Sequence, residues 1–209
     1  MSNRDETQIE DEHIQHMGKP LGRLFSALWK ELVWLHIKWG EYVELFGTNS
    51  ERVELLNRAA PNFFGIIQDV LLDNILLHIA RMTDEPGSGS KKTLTVHAFS
   101  EAVDLKIQGT VETLIELAKN KVQFCRDLRN KRMAHSDLKL ALDPESAALL
   151  PAVSRAQVRE ALKAIGNVLN AVEEHYGSAP TGFEHTIPAL GGAGLLLEVL
   201  ESGMITRQR

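Results

Sequence analysis

Leu114-Ile-Glu-Leu-Ala-Lys-Asn-Lys-Val-Gln-Phe-Cys-Arg-Asp-Leu-Arg-Asn-Lys-Arg-Met-Ala-His135 carries an apolar stripe whose character changes before it ends. At about 100° per residue, with Leu114 at 0°, Val122 falls near 80°, Cys125 near 20° and Leu128 near 320°, all on one side of a helix. Further along that side come Arg129 near 60°, Arg132 near 0° and His135 near 300°. The core-facing stripe turns cationic in its last two turns. Arginine seldom faces a core without a partner, because an isolated charge there is very costly. Three cationic or titratable groups continuing one apolar stripe point to a polar cavity or to an interface with another chain. The other reading ends the helix near Asn130 and leaves these side chains in a solvated loop.

The charge distribution sharpens the contrast. The chain has 209 residues and a net charge of −5. Between Lys119 and His135 the cations Lys119, Lys121, Arg126, Arg129, Lys131 and Arg132 face only the anion Asp127, a net +5 that leaves −10 for the remainder. A local basic patch on an acidic body can guide a polyanion to one place, although a solvated lysine-rich face looks the same in sequence.

Outward from this stretch, the chain reads as helices. Residues 1–17 are polar and acidic, an arm expected to be mobile or loosely docked. From Pro20, apolar residues recur in steps of three and four at Leu24, Leu28, Leu32, Leu35, Trp39, Tyr42 and Phe46, closed by Gly47. Asn49 or Ser50 caps a short helix ahead of Pro61. From Pro61 to Thr83 apolar residues occupy every side of the wheel, the mark of a central helix. Residues 84–93 form a turn-rich loop, and Thr95 caps a short helix through Val103. Gly109 and Thr110 open the long helix that carries Leu114–His135, which breaks by Pro144. A last long helix spans about Ser154–Tyr176, with Ser154 as cap and Gly177 as stop. The tail, 178–209, ends in a short apolar helix near Leu195–Leu200. The expected architecture is all-α: an up-and-down bundle of about four long helices over 18–177, plus short ones.

Composition excludes several classes. An apolar share of 44% is that of an ordinary globular chain. One cysteine, Cys125, provides neither a disulfide framework nor a thiolate zinc site, which fits a reducing, cytoplasmic compartment. The N-terminus is acidic where a signal peptide would be basic, and Leu195–Leu200 is too short to span a bilayer, so no membrane association is expected.

The chemistry open to the cationic stretch is phosphodiester cleavage. Without a metal, it needs a base for the ribose 2′-hydroxyl, cations for the phosphoryl charge and an acid for the leaving oxygen. Histidine titrates near neutrality and serves as either base or acid. Arginine stays charged and grips phosphate oxygens with a planar fork. Arg129 and His135 lie about 9 Å apart along a helix axis, so they converge on one phosphate only loosely. Two chains meeting here would supply two of each, which favours a symmetric dimer.

Arg129-Asn130-Lys-Arg-Met-Ala-His135 resembles the signature of the HEPN superfamily: arginine, a polar residue, a short spacer, then histidine. Only Arg129 has the right spacing. The order of elements is similar to the abortive-infection U-like branch over about residues 18–177. Its marks are the aromatic-rich first long helix, the Leu-His-Ile-Ala-Arg-Met-Thr-Asp84 end of the next, the loop and the motif segment. The resemblance implies a homodimer that cleaves RNA without metal or cofactor, often as a toxin in phage defence, with arginine and histidine from both subunits lining the cleft. On this reading Arg129, His135 and Asn130 are catalytic, while Arg132, Lys131 and Arg126 hold the RNA. An antitoxin or regulatory protein is a further candidate partner. Members that have lost activity bind RNA or protein instead, and a purely structural helical module is the third reading.

Within the apolar helix, Asp73 and Arg81 are supporting candidates: Asp73 can orient Arg129 or Arg132, or form a local buried pair with Arg81. His13 and His16, beside Asp11 and Glu12, have helical metal-ligand spacing, but chance within an acidic arm accounts for them better. Cys125 lies beside arginine on the buried stripe and reads as a small core residue.

Overall fold

Steps of three and four in the apolar pattern become buried seams of helix. The computed structural model describes residues 6–87, 93–129, 153–186 and 191–207, and all regular structure among these is helical. Helices α1 (Glu6–Met17) and α2 (Lys19–Tyr42) lead through a π-helical turn, Val43–Gly47, to α3 (Ser50–Ala59) and α4 (Pro61–Met82). A 3-10 turn, Val96–Ala98, and the short α5 (Phe99–Ala102) precede α6 (Leu105–Leu128). Next come α7 (Arg155–His175), a second 3-10 turn, Phe183–His185, and α8 (Ala193–Arg207).

α2, α4, α6 and α7 form the bundle. Their main core includes Phe25, Leu28, Leu32 and Leu35 of α2, Ile75 and Ile79 of α4, Val111, Ile115 and Val122 of α6, and Leu162, Ile165 and Leu169 of α7. A smaller cluster joins α3, the start of α4 and α8 through Leu55, Leu56, Phe64 and Leu197. The local signals behave as expected at several ends. Asn49 accepts the Arg52 amide hydrogen (2.9 Å). Ser154 and Gln157 form a reciprocal capping box. Gly177 takes a positive φ of 86° after α7.

Four expectations need correction. Residues 6–17 are not a loose arm but a helix laid on α2. There Gly22 is essential to the approach, since a Cβ at that position would sit 2.6 Å from Ile14 Cα and 2.7 Å from the His13 carbonyl oxygen. His13 is buried in the seam, its Nδ1 2.9 Å from Ser26 Oγ and its ring edge-on to Phe25, so it is a packing residue. Secondly, α4 is not covered all round: Phe63, Ile66, Val70 and Leu77 are exposed.

Thirdly, α6 begins at Leu105, ahead of Gly109, because Asp104 is held from outside the helix. Its amide donates to the Tyr176 hydroxyl (3.0 Å) and its carboxylate meets His175 Nε2 (3.2 Å). Leu117, three residues after Leu114, is exposed, while Ala118, Val122, Cys125 and Leu128 are buried. Lastly, the apolar helix of the tail is longer than Leu195–Leu200, spanning Ala193–Arg207, and the stretch before it packs on the bundle. Phe183 is buried beside Gly166, and Thr181 donates through its amide (2.9 Å) and hydroxyl to the Glu173 carboxylate.

Candidate functional site

α6 delivers its last turn to the C-terminal end of α4. Arg126 lies one turn before Arg129, and both guanidinium groups reach the Thr83-Asp84 corner. Arg126 Nη2 donates to the Thr83 carbonyl (2.6 Å) and hydroxyl (2.7 Å), while Nη1 donates to the Lys119 carbonyl (3.1 Å). Arg126 Nε approaches Asp84 Oδ1 at 3.4 Å, and Arg129 Nη1 donates to Asp84 Oδ2 at 2.6 Å. One carboxylate thus bridges two arginines.

The physics of the helix end explains the clasp. Carbonyl groups at a helix C-terminus lack intrahelical partners and carry the negative end of the macrodipole. A guanidinium donating there satisfies them. Asp84, an anion at that same end, is stable because the cations come with it. Glu85, the next residue, pairs with Lys119 Nζ (2.6 Å), which holds its carboxyl below the usual range and raises the Lys119 ammonium. Both aspects of the corner are therefore charge-compensated, with three cations on α6 facing two carboxylates.

Behind the arginines, Cys125 is buried and its thiol is pushed up to about 12 by burial. That removes it as a nucleophile and bears out its reading as a core residue. Among the described residues, no group of three or more His, Cys, Asp or Glu side chains is placed to hold a metal ion.

Asn130, Lys131, Arg132 and His135 lie outside the described residues. Arg129 and Arg126 are brought together, with Arg126's donors taken up largely by the end of α4 and by its own helix. Arg81 finds its carboxylate in Glu31 of α2, not in the expected local pair, and Arg129 finds its own in Asp84 rather than Asp73. Asp73 lies half-buried on α4. Around Glu31 a polar chain continues: His78 Nε2 lies 2.6 Å from its carboxylate, and Lys38 Nζ lies 2.8 Å from both His78 Nδ1 and Asn74 Oδ1.

Asp84, the residue sequence reasoning missed, had a signal. An acid at the C-terminal end of a predicted helix opposes the macrodipole and calls for a cation nearby. A separate cavity of about 740 Å³ lies between α2, α7 and the tail, lined by His36, Trp39, Arg159, Lys163 and Phe183 among others. It shares no lining residue with the arginine clasp.

An all-α bundle whose late long helix runs into the Arg129–His135 motif has the makings of a HEPN domain. The family model for AbiU2, a HEPN family, matches residues 18–189, and the chain belongs to that family. No curated protein and no solved structure matches it.

Proposed function

We propose that this chain is a metal-independent endoribonuclease of the HEPN type, acting as a cytoplasmic homodimer in abortive infection or toxin-based phage defence. The observation that carries the reading is the clasp: Arg129, the first residue of the motif, stands at the end of α6 and is held at 2.6 Å by Asp84, just past the end of α4. A cation fixed in place costs no reorganisation when charge develops on a phosphoryl group.

In this reading Arg129 stabilises the phosphorane charge, and His135 takes the 2′-hydroxyl proton or supplies one to the leaving oxygen. Attack of the 2′-oxygen on phosphorus expels the 5′-oxygen, leaving a 2′,3′-cyclic phosphate and a 5′-hydroxyl. Asn130 orients the imidazole or the substrate, and Lys131 and Arg132 hold the flanking backbone. Arg126 serves chiefly to position Arg129. A second copy completes the cleft with its own arginine and histidine.

Incubation of the purified protein with RNA in the presence of chelator tests the assignment. Cleavage is expected for the wild type and a loss of at least 10²-fold for Arg129→Ala and for His135→Ala. Equal cleavage by all three overturns it. A second reading, a dimer that binds RNA without turnover, is favoured by the compensation of Arg129 by Asp84. Salt-dependent affinity with no products selects that one.

A further inference from the structure

The cavity between α2, α7 and the tail has an apolar aromatic floor and a charged rim. Its volume is about 740 Å³, within the range of roughly 300–1,000 Å³ that holds small organic ligands. Trp39, Leu162 and Phe183, all buried, form the floor. The His36 ring lies nearly parallel to that of Phe183, with centroids 6.0 Å apart and planes 23° from each other. Burial lowers the imidazole pKa to about 4, so near neutral pH this wall is aromatic and uncharged.

The rim is cationic. Arg159, Lys163 and Asn167 follow one another at every fourth position of α7 and are exposed. None of the three has a hydrogen-bond or ion-pair partner among the described residues. Asn170, by contrast, is tied to Thr181 in both directions, each bond 3.2 Å long. Two acids also line the cavity. Glu160 is answered from outside it by Lys121 at 3.6 Å, and Glu184 has His185 Nε2 at 3.7 Å. Two cations thus face the carboxylate of Glu184, a surplus of one positive charge. Gly40 of α2 lines the same space. A glycine inside a helix costs stability relative to alanine. Its φ is not positive, and a Cβ there would meet nothing within 4 Å, so neither backbone nor packing calls for it. What the missing side chain leaves is room.

We infer that this cavity binds a small planar carboxylate, a singly charged organic anion whose flat apolar body lies on the aromatic floor while its carboxylate meets Arg159 and Lys163. Arg159 offers a planar fork to both carboxylate oxygens, and Lys163, one turn on, adds a point charge. The Asn167 amide can donate to the same group. A surplus of one positive charge suits a monoanion better than a phosphate dianion, which would leave a negative charge uncompensated at the rim. The inference goes beyond the ribonuclease reading and does not rest on it, since the cavity shares no lining residue with the arginine clasp.

Isothermal titration calorimetry of the full chain near pH 7.5, without RNA, tests the inference with 1-naphthoate as the probe. Saturable binding of one molecule per chain is expected. Neutral 1-naphthalenemethanol is expected to bind roughly tenfold more weakly, as is 1-naphthoate to Arg159→Gln/Lys163→Gln. Gly40→Phe fills the space without touching a charge. It is expected to abolish binding with unchanged far-ultraviolet circular dichroism. Lys106→Gln, an exposed cation on α6, is expected to bind as the wild type does. A wild type without saturable binding overturns the site, and so does equal affinity in the α7 double variant. Preference for adenosine monophosphate or for acetate over 1-naphthoate overturns the ligand class. Because RNA is absent, the ribonuclease assignment is left to its own test.

Discussion

Asp84 and Arg129, 45 residues apart in sequence, meet at 2.6 Å where the ends of α4 and α6 come together. The same carboxylate also faces Arg126, so its removal leaves two guanidinium groups competing for one corner. Asp84→Asn keeps the size and loses the charge. The expected cost is about 1–2 kcal/mol in urea unfolding. If Arg129 acts on phosphate from this position, kcat for RNA cleavage should fall roughly tenfold or more, with KM changing less. An unchanged kcat would detach Asp84 from the site.

His78 is tied on both sides. Lys38 can only donate, so Nδ1 accepts and Nε2–H points to Glu31, which makes the ring neutral. Burial, reinforced by Lys38 and Arg81, lowers its pKa to about 4; burial alone lowers that of His36 to about 4 as well. The unfolded chain protonates both near 6.5, so between about pH 4 and 6.5 it binds more protons than the native state. Stability must therefore fall as pH drops through that window and level off above it. Urea midpoints measured from pH 7.5 to 4.5 check the slope. Imidazole resonances of His78 and His36 that titrate near 6.5 in the folded protein would contradict it.

Gly22→Ala tests the docking of α1. The added methyl meets backbone, not a flexible side-chain tip, so α1 must lift from α2. The expected loss is about 1–3 kcal/mol, with proteolysis becoming rapid within the first 17 residues. Gly40→Ala on the same helix, where nothing lies within 4 Å, is expected to be neutral or stabilising.

Ser154→Ala removes half of a reciprocal cap whose two bonds measure 2.9 and 3.1 Å. A cost of about 1 kcal/mol is expected, with no change in the denaturant m-value. A much larger effect would mean that the start of α7 bears on more than its own helix.

These cases divide along physical lines. Signals confined to a few adjacent residues were legible: the Asn49 and Ser154 caps, the Gly177 stop, and the buried turns from Ala118 to Leu128. The start of α6 was not, because Tyr176 and His175, more than 70 positions away, hold Asp104. Periodicity revealed that α4 is apolar on every side, but it does not distinguish a face covered by the same chain from one left open. Arg129 and Arg126 stood out as an anomaly on an apolar stripe. Their partner did not, since Asp84 lies at the end of another helix and was recognised only as part of a resemblance. Asp73 stands out in sequence by lying on an apolar helix, whereas Asp84 is the acid that meets Arg129.

Thr83, Asp84 and Glu85 are each fastened to α6, through Arg126, Arg129 and Lys119. Three consecutive residues leaving α4 are thus stitched to the helix that leads into the motif. A shift of residue 85 therefore loads the Lys119 ammonium and a shift of residue 84 the Arg129 guanidinium, so the aim of that arginine depends on the path of the chain leaving α4.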